Sequence, residues 1–106
     1  MEIRDISPEE LKSIENYGTV LLQFYSKDLK ESEDIKLEIE KIPQEECYYQ
    51  ALRFEIEKDI ELAKQFNIIE PELIVIGKSE ILGREKSLKT AQEIQEWAHF
   101  STIMGW

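Results

Sequence analysis

The sequence predicts a single α/β domain of three layers, a mixed sheet with helices on both faces, in the order β-α-β-α-β-α-β-β-α. Three observations carry this. Strand and helix signals alternate from the N-terminus to about residue 76, the pattern of parallel strands joined by right-handed helical crossovers. The runs Thr19-Val20-Leu21-Leu22-Gln23-Phe24-Tyr25 and Leu73-Ile74-Val75-Ile76 are almost continuously apolar, as strands covered on both faces are. The last third changes character, with two strands around a Gly-containing turn and then a separately capped helix. The 106 residues suit one domain with a real core.

Taken in order, Glu2-Ile3-Arg4-Asp5-Ile6 alternates polar and apolar residues and reads as a short strand. Ser7-Pro8-Glu9-Glu10 opens a helix: Ser7 caps it, Pro8 suits the first position and Glu10 completes a capping box. Leu11, Ile14 and Tyr17 form its apolar face, and Gly18 ends it in a left-handed conformation. After the strand at 19–25 and the break at Ser26-Lys27-Asp28, Leu29, Ile35, Ile39 and Ile42 fall at helical spacing. Ile35, Leu37 and Ile39 also alternate, so a strand competes here; the length of the segment favours helix, and Pro43 stops it.

Tyr48 to Glu57 reads as a strand, with Leu52, Phe54 and Ile56 on one side and Arg53, Glu55 and Glu57 on a wetter one. Asp59 caps a short helix from Ile60 to Phe66, and Asn67 is its left-handed stop. Glu72 to Ile76, the turn Gly77-Lys78-Ser79-Glu80 and Ile81-Leu82 make a hairpin. Thr90-Ala91-Gln92-Glu93 is a second capping box, opening a helix with Ala91, Ile94, Trp97 and Ala98 inward. Residues 101–106, with Ile103, Met104 and Trp106, read as an apolar tail without periodicity, either folded back or in contact with a partner or second copy.

Composition mostly removes chemistries. Thirteen basic against 23 acidic residues give a net charge of −10. Phosphate binding needs a basic surface, so nucleic acid is not the expected partner, and neither is anionic lipid. One cysteine and one histidine leave no intrachain disulfide, no multi-cysteine zinc cluster and little for a His-centred triad. No cofactor is implied. No apolar run approaches the ~18 residues a membrane span needs, and no apolar leader opens the chain, so the expected location is cytoplasmic.

Order and spacing over about residues 2 to 101 resemble the thioredoxin fold. Val20-Leu21-Leu22-Gln23-Phe24-Tyr25-Ser26 looks like the thioredoxin central strand. Ala63-Lys64-Gln65-Phe66-Asn67-Ile68 looks like the helix end before the proline loop. Pro71-Glu72-Leu73-Ile74-Val75-Ile76-Gly77-Lys78-Ser79-Glu80 is similar to the family's proline, buried strand and turn. The departure is at the active site. Thioredoxins place Cys-x-x-Cys at the start of the second helix, where the helix N-terminus favours the first thiolate and the second cysteine resolves the mixed disulfide. Counted from Phe24, those positions are Leu29 and Ser32, with Lys30 and Glu31 between. The buried aspartate of the family is matched by Gln23. Dithiol activity therefore does not carry over. Pro71 matches the family's cis-proline, which implies a cis Glu70–Pro71 bond, although the loop before it looks one residue shorter.

The resemblance implies a binding surface at the degenerate active-site rim: Tyr25, Asp28, Leu29, Ser32, Glu70 and Pro71. Leu29 with Tyr25 and Pro71 would form an apolar patch suited to a protein or extended peptide, unless Leu29 turns into the helix core. The acidic residues Glu31, Glu33, Asp34, Glu38, Glu40, Glu45 and Glu46 are interleaved with lysines and read as a solvated face; a basic partner is the minor alternative. Cys47 reads as incidental or as an intermolecular thiol, and His99 as a favourable contact with a helix C-terminus. Three roles follow: a redox-inactive binding or scaffold module, a glutathione- or thiol-linked enzyme using Ser32 or Cys47, or a small assembly or maturation chaperone.

Overall fold

The structure, a computed structural model, describes residues 1–104. Strand β1 (Ile3–Asp5) leads to the short helix α1 (Pro8–Lys12). A 3₁₀ turn (Ile14–Tyr17) and β2 (Val20–Tyr25) follow, then α2 (Lys30–Glu40), β3 (Gln50–Glu55) and α3 (Ile60–Gln65). The hairpin β4 (Glu72–Gly77) and β5 (Glu80–Glu85) precedes the long helix α4 (Ala91–Met104). The sheet order is β1-β3-β2-β4-β5. β1, β3 and β2 run parallel, while β4 and β5 are antiparallel to their neighbours. This is the predicted mixed α/β architecture with the predicted succession of elements.

Each face of the sheet has its own core, as strand alternation requires. Leu22, Phe24, Leu52, Phe54, Ile74 and Ile76 pack with Leu11, Ile14, Leu62 and Ala63 of α1, the 3₁₀ turn and α3. Leu21, Ala51, Leu73 and Val75 pack on the other face with Ile39, Ile42, Ile94 and Ala98 of α2 and α4. The strand alternative for Ile35-Leu37-Ile39 loses for this reason: Ile39 is fully buried while Leu37 is 53% exposed, a helical and not an alternating pattern.

The local signals act as expected. Ser7 and Glu10 form a reciprocal capping box, Thr90 and Glu93 a second one, and Asp59 caps α3 through the Leu62 N–H. Asn67 adopts φ 62°. The hairpin turn is made by Lys78 and Ser79, both with positive φ (53° and 65°), as a two-residue turn matched to strand twist requires.

Four expectations need correction. The first helix breaks at Ser13 into α1 and the 3₁₀ turn, and Gly18, at φ 74° and ψ −138°, is not in the left-handed helical well. The β3 face carrying Arg53 is not wet at that residue: Arg53 is 4% exposed, because it lies beneath α2. Residues 101–104 continue α4 instead of forming an aperiodic tail; Ser101, 5% exposed, packs on Gly83 of β5, where a larger residue would not fit. The Glu70–Pro71 bond is trans. Trans is the ordinary preference of an X–Pro bond, and the exposed Glu70 side chain is paired with Lys86 at 2.8 Å. Of the expected apolar tail, Trp106 and the Met104 side chain lie outside the described residues.

Candidate functional site

Position sets the site. Parallel pairing aligns Asp5 of β1, Arg53 of β3 and Gln23 of β2 in one row, which antiparallel pairing extends to Leu73 and Glu85. The row lies on the α2 side of the sheet, near the C-terminal ends of the parallel strands, where loops meet at the edge of an open α/β sheet. The first turn of α2 sits above it.

Leu29 is the N-cap residue of α2, with extended backbone (φ −100°, ψ 123°) and no side-chain cap. Its side chain is 44% exposed. Ser32, one turn on, is 4% exposed. Its hydroxyl accepts from the Ser26 N–H (3.3 Å), and its carbonyl accepts from the Gln23 amide (2.8 Å). Glu57 clamps the same loop, accepting from the Ser26 hydroxyl (2.9 Å) and the Lys27 N–H (3.2 Å). The pair of positions at the helix start is thus one exposed apolar residue and one buried hydroxyl whose lone pair serves the loop.

Beneath lies a buried polar cluster centred on Arg53. Its Nε donates to Gln23 Oε1 (3.1 Å) and its Nη1 to Glu33 Oε2 (3.2 Å). The guanidinium carbon is 3.7 Å from the Tyr25 ring centroid, a cation–π stack in a desolvated setting. Tyr25 is itself 8% exposed and its hydroxyl donates to Asp5 Oδ1 (2.5 Å). Burial, reinforced by Asp5, pushes the Tyr25 phenol well above its ordinary range. The Nη2 of Arg53 has no hydrogen-bond partner among the described residues.

Facing this turn, a cleft of about 340 Å³ opens between α2, the start of β4 and the segment after β5. Ser32, Ile35, Pro71, Leu73 and Leu88 line it, with Lys86 and Lys89 among its charged residues. The approach to Pro71 is fixed by Arg84, which pairs with Glu72 through two hydrogen bonds (2.9 and 3.2 Å) and also donates to the Phe66 and Asn67 carbonyls. That fork joins β5, β4 and the end of α3.

The sequence-predicted residues therefore separate into groups. Ser32 and Pro71 both line the cleft. Leu29 and Asp28 stand exposed at the helix start, and Glu70 is exposed beside Lys86. Tyr25 lies under the helix start and not on its surface. Arg53, read from alternation as facing water, is the residue that sequence reasoning missed. Its signal was local to Gln23, a second polar residue inside an otherwise apolar buried strand, which needs a polar partner. Cys47 is partly buried at the opposite end of the sheet, its thiol 3.3 Å from the Pro43 carbonyl. His99 is exposed on α4 beside Tyr48.

No protein-family model and no curated protein matches this chain. Solved structures do. A single-residue mutant of a thioredoxin from Halobacterium salinarum NRC-1 superposes with a TM-score of 0.80 at 14% identity, covering 95% of this chain and 91% of that one. Chloroplastic thioredoxin z gives 0.79 at 17% identity, covering 97% and 96%. The reduced thioredoxin pre-protein of Schistosoma mansoni gives 0.72 at 16% identity, covering 93% and 97%. At such identities the likeness shows the fold, a thioredoxin-like one, over nearly the whole chain.

Proposed function

We propose that this thioredoxin-fold chain is a redox-inactive module that binds an extended protein segment at the rim where thioredoxins carry their dithiol. One observation supports the reading above the others. The two positions matched to the cysteines are Leu29 and Ser32; the first is an apolar residue standing 44% exposed at the helix start, and the second lines a cleft of about 340 Å³. A leucine there cannot attack a disulfide, but it offers exposed apolar surface at the start of the helix whose Ser32 shares the cleft with Pro71, and extended segments are recognised through apolar pockets of this kind.

The Ser32 hydroxyl accepts a hydrogen bond from the Ser26 N–H and keeps its own proton to donate, so the alternative of a glutathione- or thiol-linked enzyme rests on this one group. A thiolate-stabilising role for it has no further support.

The test is selection of a displayed linear peptide library on the immobilised chain, repeated on Leu29→Asp. The expected result is an enriched consensus on the native chain that the variant fails to retain. No enrichment, or a consensus retained equally by the variant, would remove the rim as the binding surface.

A further inference from the structure

A second surface lies away from the rim, on the outer side of α4. With 3.6 residues per turn, Ile94, Ala98 and Ser101 share the side buried on the sheet, and Glu96, His99, Phe100 and Ile103 share the opposite one. Phe100 is 63% exposed and Ile103 65%. Tyr48, 80% exposed, stands beside His99, their ring centroids 6.4 Å apart. Glu46 ties the same segment to the helix by accepting from Gln95 Nε2 (2.8 Å). Three large apolar side chains around one histidine make a patch of the kind that marks an interaction site.

The two segments that carry this patch hold charge of one sign, with Lys41 and Lys89 at their outer ends. Residues 42–50 and 90–104 contain Glu45, Glu46, Glu93 and Glu96 and no lysine or arginine. None of the four carboxylates is in an ion pair among the described residues. Their hydrogen bonds come from backbone and amide groups: Gln92 to Glu96, Gln95 to Glu46, and the N–H groups of Lys89 and Thr90 to Glu93. Elsewhere acids and bases are interleaved, as along α2, where Glu38 pairs with Lys41. The last turn of α4 also lacks a basic residue to offset the negative end of the helix dipole.

We propose that the outer face of α4, with Tyr48, is a docking surface for a basic amphipathic helix of a partner protein, its apolar stripe on Tyr48, Phe100 and Ile103 and its flanking Lys or Arg on the glutamates. Charge complementarity selects this occupant. A second copy of the chain would set the same unneutralised glutamates against one another, and anionic lipid would be repelled. The inference stands apart from the rim: it needs neither Leu29 nor the cleft.

The probe is a synthetic leucine–lysine amphipathic helix of about 18 residues, or five turns, titrated into the ¹⁵N-labelled chain. Amide shifts are expected at 45–48 and 95–104. The double variant Phe100→Ser, Ile103→Ser is expected to bind roughly tenfold more weakly or worse, and Glu46→Lys, Glu96→Lys likewise. Ile60→Ser, which removes an exposed apolar residue from α3 on the other face, should bind as the native chain does. All these changes are at exposed positions, and circular dichroism verifies folding. Shifts spread over the α2 surface, with every variant binding alike, would reduce the effect to general attraction by an acidic protein and overturn the proposal. So would a dimer in sedimentation that the Phe100/Ile103 variant abolishes, which assigns the face to a second copy. Binding to phosphatidylcholine–phosphatidylglycerol vesicles lost in the same variant would assign it to a membrane and overturn it equally.

Discussion

Arg53 lies over the Tyr25 ring, its guanidinium carbon 3.7 Å from the ring centroid, and holds Gln23 by its Nε. Its partner Glu33 is 60% exposed and the Arg53 Nη2 has no partner among the described residues, so the charge itself is poorly compensated, and shape and packing carry most of its contribution. Arg53→Ala is expected to cost about 2–4 kcal/mol, combining a cavity with an orphaned Gln23. Arg53→Met keeps much of the volume but leaves Gln23 without the same donor, so it should cost less than Arg53→Ala by the cavity contribution. Urea unfolding of the two variants measures the difference; equal losses would mean that the charge, and not the packing, is what matters.

Leu29 occupies a helix N-cap without capping it. Leu29→Asp supplies the missing acceptor and a negative charge at the helix start, so it should stabilise the fold by about 1 kcal/mol in thermal or urea unfolding. The same variant is expected to lose rim binding. A loss of binding accompanied by a gain in stability separates the surface from the fold.

Ser101 packs so closely on Gly83 that a Cβ at residue 83 would overlap the Ser101 hydroxyl oxygen and sit 3.1 Å from its Cβ. Gly83→Ala is expected to destabilise by about 1–3 kcal/mol. Adding Ser101→Gly should recover part of that loss despite putting glycine in a helix. A double-mutant cycle without coupling would contradict the docking of the last turns of α4 on β5.

Glu10 accepts from Arg4 (2.8 Å), from the Ser7 N–H (3.0 Å) and from the Tyr17 hydroxyl (3.0 Å). The Arg4 guanidinium first, then those two donors, hold its carboxyl down at about 2, below the ordinary 4.5. A depressed carboxyl pKa means that the native state holds its proton less tightly than the unfolded chain. The stabilisation is present above about pH 4.5 and lost as pH falls toward about 2. Carboxyl titration by NMR should place the Glu10 midpoint near 2. The Arg4→Ala variant should raise it, and added salt should do so in part, because the pair is solvent-exposed.

What the sequence makes legible is what short-range chemistry encodes. Ser7 with Glu10, Thr90 with Glu93, Asp59 and Asn67 each announce a helix end by bonds within a few residues, and all four act as read. The apolar runs of β2 and β4 likewise give away strands covered on both faces. Arg53 was not legible, because alternation makes a charged residue look solvent-facing. What buries it is Gln23, Glu33 and Tyr25, 20 to 30 residues away in the chain. Nor was the continuation of α4 through Ser101, whose place depends on a glycine on a neighbouring strand. At the candidate site, the two residues at the α2 start were found by counting from Phe24. The cleft beside them needed the segment after β5, which carries no periodic signal.

Leu29 and Ser32 are the residues at the helix-start positions matched to a dithiol, and neither can carry dithiol chemistry. Insulin reduction by dithiothreitol tests this most directly, comparing the native chain with Leu29→Cys, Ser32→Cys. The native chain is expected to match the protein-free blank. The double variant, one cysteine exposed at the helix start and one buried a turn later, should form an internal disulfide and exceed the blank. Turnover by the native chain itself, well above the blank, would contradict the claim.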